Sequence, residues 1–187
     1  MPVNMDEEKD HAVVFKELCV NRKLQYVKWN EALVCGEDCV VAVDLGSCVS
    51  VVLAGYDESE NVWIGVNHLF RSRHENSDMA LEQITVLIDE MKNIRKCVDV
   101  RCLGLFGAGY KENSLAKKVA NKNVMTILET LSLFNMTIEI FQTGFSQGVS
   151  VIYSSQFRKF IIKNTEITTQ EKKYYSVSFD KVFGNET

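Results

Sequence analysis

The sequence predicts an α+β fold, and three observations carry that prediction. Short β-branched runs recur along the chain, only two segments repeat with helical periodicity, and the composition is that of an ordinary globular domain, 46% hydrophobic and 25% charged. Strands outnumber helices, and few connections are long enough to hold a helix. That favours layered sheets over a doubly wound parallel sheet. At 187 residues the chain reads as one domain with a core large enough to need no staples.

Taken in order, residues 1–11 are polar and acidic and read as a frayed terminus. Strand-like runs follow: QYVKW (25–29), VVAVD (40–44) and CVSVVLAGY (48–56), then DESEN as a polar turn and VWIGVNHLF (62–70). In SDMALEQITVLIDEMKNI (77–94), Ala80, Ile84, Leu87, Ile88 and Met91 share one helical face, with Ser77 as its cap. VDVRCLGLF (98–106) returns to strand. NKNVMTILETLSLF (121–134) places Val124, Ile127, Leu128 and Leu131 on one stripe and offers Asn121 or Asn123 as a cap. TIEIF (137–141) is strand-like, and VSVIY with FRKFII reads as a hairpin turning at Ser154-Ser155-Gln156. Residues 164–187 form a polar, then briefly alternating extension that reads as a strand, a partner-docking tail or neither.

A formal charge of -4 argues against a nucleic-acid groove, which needs a basic surface. No run of eighteen apolar residues exists to span a membrane, and the terminus MPVNMDEEKD lacks the positive start of a secretory signal, so the expected location is cytoplasmic. Six cysteines (19, 35, 39, 48, 97, 102) in a reducing compartment are not expected to pair, and they contain no CxxC zinc spacing. Five of them read as small buried hydrophobes.

The sixth is different. Leu45-Gly46-Ser47-Cys48 breaks a continuous apolar ribbon and puts a thiol at the head of a strand. A cysteine hydrolase needs a thiolate, a neighbouring histidine to take the proton, and backbone N–H donors for the oxyanion. The chain offers Cys48, then His68 after Asn67, and glycine turns at Gly107/Gly109 and Gly144/Gly148. These parts allow a cysteine hydrolase; they equally allow a buried Cys48 and a hydrogen-bonded His68.

The order of motifs adds a resemblance. LGSCV (45–49), NH (67–68), the SDMALEQITVLIDEM helix, LGLFGAGY (103–110), NKNVMTIL and TGFSQG together resemble the chemoreceptor glutamine deamidase family, CheD, over roughly residues 24–162. That likeness implies a domain over 12–163 in which β-sheets are layered, sandwich-like, with helices outside, similar to toxin-type cysteine deamidases. It implies that Cys48 attacks a receptor glutamine amide while His68 accepts the thiol proton and later protonates departing ammonia. Gly46, Ser47 and Gly107 would supply oxyanion or support contacts. No cofactor or metal is implied. Implied partners are the cytoplasmic helices of chemoreceptors and a CheC-type phosphatase. The chain departs from the family at Ala42, where a threonine normally orients the histidine, at Val149 in place of an arginine, and at Gly107-Ala108-Gly109 in place of Gly-Gly-Ala. Phe70-Arg71-Ser72 replaces a leucine-proline after the histidine strand. A catalytically weakened regulatory relative that binds the phosphatase is therefore the alternative, and another protein amide or ester as substrate is a third. Arg71, Arg73 and Lys111 are candidate contacts for an acidic receptor helix.

Overall fold

Alternate residues of the strands belong to different apolar layers, and this splits the chain into two sheets with a core between them. The computed structural model describes residues 5–70, 78–110 and 114–184. The elements are α1 (Met5–Cys19), β1 (Lys23–Tyr26), β2 (Ala32–Gly36), β3 (Cys39–Leu45), β4 (Val49–Asp57), β5 (Val62–Asn67) and α2 (Asp78–Asp89), which runs into a π-helical turn at Glu90–Ile94. Then come β6 (Cys97–Gly107), α3 (Ser114–Leu133), β7 (Ile138–Thr143), β8 (Gln147–Ser154), β9 (Lys159–Glu166), β10 (Lys172–Ser178) and α4 (Phe179–Phe183). One sheet has the order β1-β3-β8-β9-β10 and the other β2-β5-β4-β6-β7, both mixed because β1–β3 and β6–β7 pair in parallel.

The pleat explains the layers. In β4, Val52 and Ala54 face the inter-sheet core, while Val49, Val51 and Leu53 face α2 and α3. In β3, Cys39, Val41, Val43 and Leu45 face inward and Val40 packs outward with Phe15 of α1. The result is a sandwich of two sheets with α1 on one outer face and α2 and α3 on the other: the α+β layered architecture that the strand-rich pattern predicts. All five residues expected on the α2 face are buried, each contributing roughly 1.5–3 kcal/mol if large and aliphatic.

Several expectations change. The segment expected to fray is helical from Met5 onward, because Phe15 packs with Val40, Ile152, Ile161 and Tyr174. The domain limit expected at residue 163 falls inside β9, and β10 and α4 extend the same sheet and core. α3 starts at Ser114, so Asn121 and Asn123 are interior helix positions rather than caps. β2 was not anticipated. Ser77, Arg71, Arg73 and Lys111 lie outside the described residues.

Candidate active site

Three passages from one sheet to the other occur at the same end of the sandwich: residues 27–31 between β1 and β2, 46–48 between β3 and β4, and 144–146 between β7 and β8. The interruption Gly46-Ser47-Cys48 is thus not a hairpin turn. Leu45 ends a strand of one sheet, Val49 starts a strand of the other, and Cys48 hangs at the crossing.

Every carbonyl of this crossing is held from outside. Gly46 O accepts from the Gly109 amide at 2.7 Å, and Cys48 O accepts from the Ala108 amide at 2.7 Å. Ser47 O accepts from Asn123 Nδ2 at 3.3 Å. In a trans peptide the N–H points opposite to the C=O, so anchoring these carbonyls fixes where the intervening amides point. Glycine is required at two places on the anchoring turn. Gly107 has φ +101°, and a Cβ there would lie 2.2 Å from the Cys48 carbonyl oxygen. A Cβ on Gly109 would lie 2.3 Å from the Ser146 amide nitrogen. Gly107 therefore lies against the Cys48 carbonyl, where a side chain would not fit, while Ala108 makes the bond to it. Gly46 itself meets nothing within 4 Å and is exposed, so no packing constraint selects it.

Cys48 is 4% exposed and packs in the inter-sheet core. Burial pushes its thiol up to about 11, with the Cys48 and Gly46 amides pulling the other way. His68 is 1% exposed. Val49 and Leu69 exchange both backbone hydrogen bonds, and Val52 pairs with Val66, which sets Ser50 opposite His68. Cys48, Ser50 and Val52 share a face of β4, and His68 shares it with Val66 across the ladder. Cys48, just before β4, and His68, just after β5, therefore face the same interior at one end of the sandwich.

His68 is held by the 27–31 crossing. Its Nδ1 lies 3.2 Å from the Val27 carbonyl, which can only accept, so Nδ1 carries the hydrogen and Nε2 presents its lone pair. Its amide donates to Glu31 O at 2.9 Å and its carbonyl accepts from the Asn30 amide at 2.7 Å. Asn30, at φ 57°, adds a side-chain contact by accepting the Phe70 amide at 3.0 Å. Burial moves the His68 pKa below its usual value, opposed by the Val27 carbonyl and the Asp44 carboxylate. Thiol and imidazole are thus both neutral at rest. Nε2 is buried with no hydrogen-bond partner among the described residues, so Cys48 and His68 are brought to one face but not bonded to each other.

The remaining predicted residues separate in role. Asn67 turns to the opposite face, where Oδ1 accepts the Val51 amide at 2.7 Å and Nδ2 donates to Gln83 of α2 at 3.0 Å; it braces the strand. Ser47 is half-buried and contributes its carbonyl. Ala42 has the parity of Val40 and Asp44, so its side chain faces away from His68; a threonine there would too. Its main chain does the supporting instead: Ala42 O accepts the Val27 amide at 2.9 Å, and Val27 O in turn accepts from His68. Sequence patterns carry no sign of that carbonyl. Asn123 did leave a sign, a polar residue one turn before Ile127 on the apolar stripe, and it is 1% exposed.

No protein-family model matches the chain, and no curated protein matches it in sequence. Among solved structures, the chain is similar to the C-terminal domain of CNFy from Yersinia pseudotuberculosis, with 8% identity and a TM-score of 0.30. The match covers 82% of this chain and 60% of that one, and a superposition so loose says nothing of activity.

Proposed function

We propose that the chain is a cysteine-dependent protein-glutamine amidohydrolase that converts chemoreceptor glutamines to glutamates. The single observation that carries this reading is that Cys48 faces the inter-sheet core at the end where His68, its tautomer fixed by Val27, holds Nε2 buried and without a hydrogen-bond partner among the described residues. The ordered motifs shared with the chemoreceptor deamidases supply the substrate class and the two partners, receptor helices and a CheC-type phosphatase.

Because both groups rest neutral, attack is general-base assisted rather than carried by a preformed ion pair. Cys48 Sγ bonds to the amide carbon as its proton passes to the His68 side. The oxyanion forms beside the fixed amides of the 46–48 crossing, where one donor is worth about 3–4 kcal/mol of barrier. The C–N bond then breaks, the imidazolium protonates the nitrogen, and ammonia leaves a thioester. Water, deprotonated by His68, releases glutamate and restores the thiol.

A second reading has its own observation: a 4%-exposed thiol with pKa near 11 and no bond to His68 also suits a relative that only docks on the phosphatase. Mass spectrometry of a receptor cytoplasmic fragment separates the two. Wild type converts glutamine to glutamate and Cys48→Ala loses at least about 10⁴ in rate. If neither protein alters the receptor while both bind the phosphatase, the docking role replaces the enzymatic one.

A further inference from the structure

Ser50 occupies a place the mechanism has not yet used. It is 0% exposed, and its hydroxyl has no hydrogen-bond partner among the described residues. Leaving a buried hydroxyl unpaired costs about 1–3 kcal/mol, so a strand position that needs only a small side chain would be better served by alanine. Ser50 also stands directly across the ladder from His68. The flanking pair Val49–Leu69 exchanges both backbone bonds, which makes Ser50–His68 a pair without ladder bonds between them. Such pairs bring Cα atoms to about 4.5 Å, the closest approach in an antiparallel sheet. On its own strand, Ser50 is two residues from Cys48 on the same face. It is therefore the residue between the nucleophile and the base, which are not hydrogen-bonded to each other.

We propose that Ser50 is the third member of the site, a hydroxyl relay that carries the thiol proton from Cys48 to His68. As Sγ forms its bond to the amide carbon, the Sγ–H proton passes to Ser50 Oγ while the Ser50 hydroxyl proton passes to His68 Nε2. One proton is gained and one lost at Oγ, so Ser50 ends neutral and His68 becomes the imidazolium. A serine χ1 has three staggered positions, so rotation about it can serve both partners. The relay adds a proton path to an imidazole that the Val27 carbonyl already orients. It rests on the deamidase reading for its substrate, but not for its test.

The titratable groups that meet this relay among the described residues are Cys48 from the crossing, His68 from β5, and Asp44 of β3, which acts on His68 electrostatically. The experiment is the pH dependence of Cys48 alkylation by iodoacetamide in the full chain, read residue by residue by mass spectrometry against Cys97 and Cys102. In wild type, Cys48 reacts faster than those two buried thiols, with a limb that follows deprotonation of His68. Ser50→Ala removes only a hydroxyl and should fold with an unchanged or higher melting temperature. It should lose that limb and react at least about 100-fold more slowly at neutral pH, while Ser50→Thr, keeping the hydroxyl, restores the limb. A Ser50→Ala profile identical to wild type overturns the relay and leaves the Cys48–His68 reading intact. Wild-type Cys48 no faster than Cys97 and Cys102 overturns both. A receptor left unmodified despite a His68-linked limb overturns the substrate but keeps the relay.

Discussion

The inter-sheet core has two ends built by different means. At one end Tyr56, Tyr153, Phe160, Phe179 and Phe183 interlock, with Phe179 and Phe183 ring centroids 4.7 Å apart and Tyr56 and Phe183 4.8 Å apart. α4 seals that end, capped by Ser178, whose side chain accepts the Lys181 amide at 3.1 Å. At the other end, where Cys48 and His68 lie, the seal is made of backbone hydrogen bonds between crossing segments, closed by glycines at 107 and 109. Apolar packing is non-directional and leaves nothing unpaired. The polar end holds buried atoms without partners among the described residues, Ser50 Oγ and His68 Nε2 among them. The sandwich is closed at one end by apolar packing and at the other by directional polar contacts.

Substitutions can break this contrast. The largest stability loss is expected at the aromatic end: Phe179→Ala, emptying a side chain that is 2% exposed, should cost about 3–5 kcal/mol in denaturant unfolding. The alkylation profile of Cys48 should stay as in wild type in the folded fraction; a changed profile would mean that the two ends are coupled. Gly107→Ala should cost about 3 kcal/mol or more, from a left-handed backbone and a Cβ driven into the Cys48 carbonyl, and here the Cys48 profile should change with stability.

Acid sensitivity sharpens the comparison further. His68 has a folded pKa below its unfolded value of about 6.5, so the unfolded chain binds more protons in that window. Its contribution is complete above pH ~6.5 and lost as pH falls through the folded pKa. Cys48 has the opposite sign: its pKa is raised from 9.0 to about 11, so its contribution is complete below pH 9.0 and lost as pH rises through about 11. Thermal melts from pH 5 to 8 should show the acid decline in wild type, and a clear reduction of it in His68→Gln. An unaltered decline would place the acid-sensitive group elsewhere. The smallest effect is expected at position 42. Ala42→Thr introduces the threonine that the proposed deamidase reading expects but points it outward, so rate and stability should each move by no more than about 0.5 kcal/mol. A large rise in activity would show that the threonine reaches His68 after all.

Much of this protein was decided by local pattern. The β-branched runs that became β3 to β6, the break before Cys48, the apolar face of α2 and the hairpin of β8 and β9 were all legible, because pleat and helix periods sort side chains before any distant contact forms. What eluded local pattern needed the third dimension. α1 is amphipathic only relative to Val40, Ile152 and Ile161, residues brought under it by strand pairing. Asn123 looked like a cap because asparagine usually serves one, yet α3 passes through it and turns it onto the Ser47 carbonyl, 76 positions away in sequence. The partner that orients His68 is a main-chain oxygen 41 residues upstream, which no side-chain motif encodes. Which residues carry thiol and imidazole is written in the chain. Only the pairing of two sheets decided that both face one interior, because parity along a strand is local, whereas the side on which the other sheet lies is not.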